Sequence, residues 1–533
     1  MYCVVVHNLC VNETGKKNIN IKKQKSAPMK FNIFKRKANE VHNYEGAQAY
    51  RLTPEMELYT AVVTAGLSDN FYEKETDRLN RIKQLMQQND AVFIAQLATY
   101  TRTNMYMRSI PLVLTVELAK QGTGKEVVKK TVDNVVQRAD EITELLAYYQ
   151  LANERTGIKK LNKLSKQVQK GLAEAFNRFD EYQFAKYDRA TEISLRDALF
   201  VVHPKAKDEA QQAIFNKIAK KELAVPYTWE TELSPLGQQN FASATERKIA
   251  FKAKWEELIY SGKLGYMALL RNMRNILEAE CSYECIKKAC STLANADNVA
   301  RSKQLPFRFL AAYREVKELQ LPDVSMVLNA LEDAVHVSVK NFPGFAEHTR
   351  VLIACDVSGS MQKSISAKSK ILLYDIGLML GMLMQSKYKR VISGMFGNTW
   401  KTVNMASKSI LANVDAYYKR EGEVGYATNG YLVINYLINA RIVMDKVMLF
   451  TDCQLWNNNN GNNHIEASWK QYKKIAPQAK LYLFDLAGYG NTPIKIQQND
   501  VYMIAGWSDK VFEILNALEN GQEVIQKIKE MQL

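Results

Sequence analysis

The sequence predicts a two-part molecule: an extended array of helices, then an α/β domain with a doubly wound, mainly parallel sheet. Three observations carry this. From about Pro54 to Lys340, apolar residues recur at three- and four-residue spacing with almost no alternating strand signal. After Asn341-Phe342-Pro343-Gly344 the texture changes to apolar strands alternating with helical segments, the pattern of a sheet covered by helices. The first of those strands, Val351–Cys355, empties directly into Asp356-Val357-Ser358-Gly359-Ser360, a turn that carries one carboxylate and two hydroxyls. A chain of 533 residues is too long for one core, so separate domains are expected over residues 39–342 and 346–533.

Residues 1–38 read as a basic leader. Residues 1–37 carry nine Lys/Arg against one acid. The apolar start Met1-Tyr2-Cys3-Val4-Val5-Val6 precedes the basic run, the reverse of a secretory signal. Met29-Lys30-Phe31 looks like a start of its own, so residues 1–28 are either a disordered leader or an overlong start.

Helices are expected over Pro54–Leu67, Glu75–Gln88, Asp90–Tyr100, Ile110–Lys120, Lys125–Val136 and Asp140–Leu151. Ser68-Asp69-Asn70, Gly122-Thr123-Gly124, Pro204 with Asp208, and Pro235-Leu236-Gly237 supply the breaks. Short helices and short loops over such a length suggest an α-solenoid of stacked helix pairs without a fixed repeat length. Gly122-Thr123-Gly124-Lys125 lacks the first glycine of a phosphate loop, because position 119 is alanine, and it follows no strand. A helix–helix turn is expected there.

Charge singles out one segment. The net charge is +16, yet residues 38–349 hold 42 basic against 40 acidic side chains, so a nucleic-acid surface there requires segregated charge. Lys159, Lys163, Lys166 and Lys170 fall on one helical face, and Leu161, Leu164, Val168 and Leu172 on another. No acid lies between Glu154 and Glu174. Such a stripe suits phosphate-backbone contact, although a merely solvated lysine face has the same spacing. Arg102, Arg108, Lys186, Arg189 and Arg196, near Tyr100, Tyr106 and Tyr187, add cations and stacking surfaces. The seven cysteines are sparse and odd in number, which fits a reducing, cytoplasmic compartment. Cys281, Cys285 and Cys290 form no CxxC pair, so no zinc site is expected.

In the last third, strands are expected at Val351–Cys355, Val391–Phe396, Lys446–Thr451 and Lys480–Asp485. Helices are expected at Ala367–Gln385, Gly430–Asn439 and Ile465–Ile475. Three loops then meet at the carboxyl edge of the sheet, where open α/β sheets bind ligands. They carry Asp356, Ser358 and Ser360; Thr428; and Asp452. Hydroxyls ligate a hard cation without adding charge, so two carboxylates leave Mg²⁺, or another divalent cation, able to accept one further acidic oxygen from a partner. That set suits docking better than hydrolysis, and no nucleophile–base pair points to an enzyme.

The DVSGSM run, Asp356 to Met361, with the Thr428 and Asp452 loops, resembles a von Willebrand factor A domain with a metal-ion-dependent adhesion site. The helical part resembles the TROVE module of the Ro ribonucleoprotein family. The resemblance is carried by Met107-Arg108-Ser109-Ile110-Pro111, Leu195-Arg196-Asp197-Ala198-Leu199 leading to His203-Pro204-Lys205, Ala268-Leu269-Leu270-Arg271-Asn272, and Leu305-Pro306-Phe307-Arg308-Phe309-Leu310. Phe484-Asp485-Leu486-Ala487-Gly488 and Ala505-Gly506-Trp507-Ser508 resemble bacterial members in particular. The resemblance implies a ring of HEAT-like repeats closed by the A-type domain. It implies a cytoplasmic, monomeric, non-enzymatic protein that binds small non-coding RNA on its outer face and single-stranded RNA ends in its central hole, with an exoribonuclease as a further partner. Lys170, His203 and Lys205 fall at the family's outer RNA contacts. The chain departs from the family at the second metal loop, where Asn429 follows Thr428 in place of a common acid and Tyr426-Ala427 replaces a glycine pair. The rival class is a protein-interaction scaffold whose metal site grips an acidic partner without RNA.

Overall fold

The computed structural model describes residues 40–65, 73–122, 126–154, 164–188, 191–340, 345–365, 369–406, 409–456, 464–496, 498–507 and 510–533. Lys159, Lys163, Arg189, the basic leader and positions 123–125 of the glycine turn lie outside them.

The helical part begins after a hairpin, β1 (Glu40–His42) and β2 (Gln48–Arg51), that the sequence pattern did not reveal. Helices follow at Pro54–Val63, Glu75–Gln87, Ala91–Thr103, Ser109–Lys120, Val127–Val135 and Ala139–Ala152, and they continue to Val324–Lys340. Local chemistry sets their ends. Pro54 occupies the first turn after the Thr53 cap, and Asp90 accepts the Val92 and Phe93 N–H groups. Ser194 and Asp197 cap one another reciprocally at the start of Leu195–Val202. That helix stops at His203, whose φ of 50° is left-handed, with Pro204 next. Pro235, expected in a break, instead lies inside the helix Trp229–Gln238, which therefore lacks the hydrogen bond an N–H at that position would give.

The α/β domain holds β3 (Arg350–Asp356), β4 (Arg390–Phe396), β5 (Trp400–Thr402), β6 (Lys446–Thr451), β7 (Lys480–Asp485), β8 (Asn491–Thr492) and β9 (Val501–Ala505). One sheet runs β5-β4-β3-β6-β7-β9, parallel throughout except for the antiparallel edge strand β5. The central strand β3 is buried from Val351 to Asp356, as a strand covered by helices on both faces must be. The helix Leu373–Lys387 packs on it through Gly381, where an added Cβ would sit 3.0 Å from Ile353. That helix starts later than its apolar pattern suggested, because Ser364 and Leu372 bridge across a folded-back loop and the Leu372 N–H is taken by Asp375.

The helical array meets this domain at both of its ends. At the beginning, the Tyr59 hydroxyl donates to Ala505 O, Arg78 to Ala487 O, and Gln96 to Lys529 O. The β1–β2 hairpin extends into a small antiparallel sheet with β8. At the end of the array, Arg314 clamps buried Asp375 with two hydrogen bonds of 2.6 and 2.9 Å, and Glu332 accepts the N–H groups of Ile410, Leu411 and Ala412. A chain of helices whose two ends dock on one domain is a closed, ring-like circuit.

Candidate functional site

The carboxyl edge of the sheet gathers the five oxygen-bearing side chains that the sequence pointed to. Asp356 ends β3. Its Oδ1 accepts the Ser358 N–H at 2.9 Å, and its Oδ2 accepts the Thr451 hydroxyl at 2.6 Å. The Ser358 and Ser360 hydroxyls lie 3.2 Å apart. Asp452 follows β6 and accepts the Gln454 N–H through Oδ1. The Thr428 loop is tied to the Asp452 loop by the Trp456 N–H, which donates to Thr428 O at 3.0 Å. All five residues are at most 3% exposed.

Two atoms in this pocket, Thr428 Oγ1 and Asp452 Oδ2, are buried without a hydrogen-bond partner. Leaving such groups unpaired is costly, and an ion is one of the few things that relieves it. Burial pushes both carboxyls above the usual range; the charge of Asp452 raises Asp356 further, and that of Glu45 raises Asp452. Carboxylates and hydroxyls with no sulfur or nitrogen fit a hard divalent cation, so the residues present pass that test. The β1–β2 turn sits on this edge. Asn43 Nδ2 donates to Leu455 O, the Tyr44 N–H to Gln454 Oε1, and the Trp456 indole N–H to Glu45. A further buried carboxyl, Asp485 at the end of β7, accepts the Ala487 and Gly488 N–H groups through Oδ1, while its Oδ2 has no partner. Its sequence signal is the one Asp452 has, an acid closing an apolar strand, and it did not enter the site set.

The basic face is a second, separate feature. Lys166 and Lys170 are exposed on the helix Lys166–Phe176, whose other side buries Val168, Leu172, Ala175 and Phe176. Gln169 donates to Val202 O, and Asn177 both donates to Lys205 O and accepts the Lys207 N–H. These bonds hold the 203–207 segment along the helix, with His203 and Lys205 exposed. His203 closes its helix through its backbone N–H, which leaves the imidazole at the surface.

Two members of the expected cation set are corrected. Arg102 is buried and gives its guanidinium to both Glu141 oxygens, at 2.9 and 3.0 Å, and to Val135 O. Arg108 is engaged by Asp140, Glu141 and Glu144. Both therefore tie the 102–108 segment to the start of the helix Ala139–Ala152, and Tyr100, only 1% exposed, offers no stacking face. Lys186 is exposed, but it leans over Tyr182 and Tyr187 on a different surface.

That other surface is a cavity of about 1270 Å³ between the helices. Arg138, Lys186, Tyr187, Tyr227, Trp229, Lys263, Tyr266, Arg271 and Arg301 line it, with Asp188 and Glu230 among them. The Arg138 guanidinium lies 4.2 Å from the Tyr187 ring and the Lys263 ammonium 5.0 Å from that of Tyr227. Arg308 is held below its usual range by desolvation and by the charge of Arg271. Of this set, sequence reasoning named Lys186 and Tyr187 and met Arg271 in a family motif; it missed the rest because they come from separate helices and form no local motif.

Comparison with known proteins agrees with this architecture. The TROVE domain model matches residues 56–232 and 219–323, and the Ro60 vWA domain model matches residues 350–518. The crystal structure of the Deinococcus radiodurans RO (RSR) protein superposes with a TM-score of 0.56 at 17% identity, covering 88% of this chain and all of that one. Telomerase protein component 1 of Mus musculus and of Rattus norvegicus is 39% identical over 101 residues, 19% of this chain and only 3% of those relatives. No described helix is long and apolar enough to cross a membrane. The chain belongs to the TROVE-domain family, with a Ro60-type von Willebrand A domain in its last third.

Proposed function

We propose that this protein binds a small structured non-coding RNA on the face built by Lys166, Lys170, His203 and Lys205, and that it receives single-stranded RNA ends in the aromatic and cationic cavity. The observation that supports the reading is the tethering of the 203–207 segment to the Lys166–Phe176 helix by Gln169 and Asn177. Exposed cations from two sequence regions thereby stand on tethered neighbouring segments in a domain of nearly balanced charge. Lys159 and Lys163 extend the stripe in sequence. Phosphates require cations in register, whereas single strands stack on aromatic rings flanked by cations, which the cavity supplies through Tyr187, Tyr227 and Trp229. The function is RNA stabilisation or quality control in the cytoplasm, with an exoribonuclease working on ends held in the cavity.

The strand-edge centre has a separate role in this reading. Asp356, Ser358, Ser360, Thr428 and Asp452 would hold Mg²⁺, which supplies a positive charge able to bind an acidic oxygen. Thr451 orients Asp356, and the Ser358 turn keeps both hydroxyls at the mouth. Docking of an acidic partner, with no bond broken, is the chemistry that follows.

The test is the nucleic acid that accompanies the purified chain. Protein prepared at moderate salt should carry RNA, and sequencing that RNA should recover small structured species. A clean preparation with no affinity for such RNA would favour a protein-only scaffold.

A further inference from the structure

The three cysteines of the helical part show no zinc spacing in sequence, but the fold adds a donor from another helix. Among the described residues, Glu256, Cys281 and Cys285 bring a carboxylate oxygen and two sulfurs within 4.8 Å of one another. Glu256 lies on the helix Ala244–Tyr260; Cys281 lies in the turn before the helix Tyr283–Ala294, and Cys285 in the first turn of that helix. Glu280 takes a left-handed φ of 52°, which turns the chain sharply just before Cys281. The Ser282 N–H donates to Glu256 Oε1 at 2.7 Å, fixing the carboxylate against that turn. Cys285 is fully buried and Cys281 6% exposed, whereas Glu256 reaches solvent.

We propose that Glu256, Cys281 and Cys285 form a binding site for a zinc-class divalent cation, with two thiolates, one carboxylate and a water in the fourth position. Tetrahedral zinc separates its ligand atoms by roughly 3.3–3.8 Å, so small side-chain adjustments complete the site. Two thiolates exclude Mg²⁺ and Ca²⁺ as its natural occupants. The charge also balances. Two thiolates and a carboxylate around a dication leave one negative charge, and the positive end of the Tyr283–Ala294 helix and Lys252, one turn before Glu256, both face it. The bound ion would clamp the Ala244–Tyr260 helix to its successor. This inference is independent of the RNA reading.

Cobalt provides the test. Full-length protein, reduced and stripped with chelator, should bind one Co²⁺ with a near-ultraviolet thiolate-to-cobalt charge-transfer band, and Zn²⁺ should displace it. The all-oxygen centre at the sheet edge cannot produce that band. Cys285→Ser should abolish it while the far-ultraviolet circular dichroism stays unchanged, and Glu256→Gln should weaken Co²⁺ binding by about tenfold or more. Reduced protein with its thiols titratable and no such band would overturn the proposal, as would a band that survives in Cys281→Ser/Cys285→Ser.

Discussion

Asp485 shows how much one buried carboxyl matters. Burial pushes it up to about 6 from 3.8, although two backbone N–H groups pull the other way. A raised carboxyl is harmless while protonated and destabilises the fold as it ionises. Stability should therefore fall as the pH rises from about 4 through 6, by roughly 3 kcal/mol for this group. Asp485→Asn should remove that loss, which chemical denaturation at pH 4 and pH 8 would register as a smaller difference between the two; an unchanged difference would mean the carboxyl is compensated in solution. Asp356→Ala addresses the neighbouring centre. It should abolish Mg²⁺ binding in calorimetry and leave RNA affinity within about twofold, since the basic face stands on other elements. At this scale the strand-end acids were legible, because an apolar run closing on Asp has few other readings. Arg102 was misread for a physical reason: a cation in sequence carries no sign of the Glu141 that neutralises it 39 residues later.

At the scale of elements, the helices of the array and the four long strands announced themselves by period and punctuation, whereas β9 and the helices Leu411–Tyr418, Val511–Glu519 and Val524–Lys529 were not expected. The short strands β1, β2, β5 and β8 were missed too, because two to four residues cannot display an alternation. The β1–β2 hairpin is nonetheless consequential, since it joins the start of the helical array to β8 and to the Asp452 loop. The other end depends on Arg314. Arg314→Ala would leave Asp375 buried and unpaired and should cost about 3 kcal/mol in denaturant unfolding. A loss below about 1 kcal/mol would show that water or Lys317 takes over. The cavity helices give a further prediction. Arg271→Gln with Arg301→Gln should weaken binding of single-stranded RNA and reduce its salt slope by about 1.4, two contacts at roughly 0.7 each. Structured RNA should bind nearly as before, and parallel losses for both RNAs would mean one continuous site.

For the whole molecule, closure is what converts a row of helices into a binding device. The α/β domain holds both ends of the array, through Tyr59, Arg78 and Gln96 at one end and Arg314 and Glu332 at the other. That arrangement was reached in sequence only through the family's motifs, because periodicity reports helices and not where their ends dock. In the proposed reading the candidate metal site belongs to the closing domain and the RNA-binding cations to the array, so docking and RNA binding would stand on separate elements. The central claim concerns the array. The most direct measurement is the affinity for a small structured RNA, followed across a salt series, for the wild type and for Lys163→Gln/Lys166→Gln/Lys170→Gln. The account predicts weaker binding for the variant and a salt slope shallower by roughly two to three. An unchanged affinity and slope in a folded variant would contradict it and leave the stripe as a solvated lysine face.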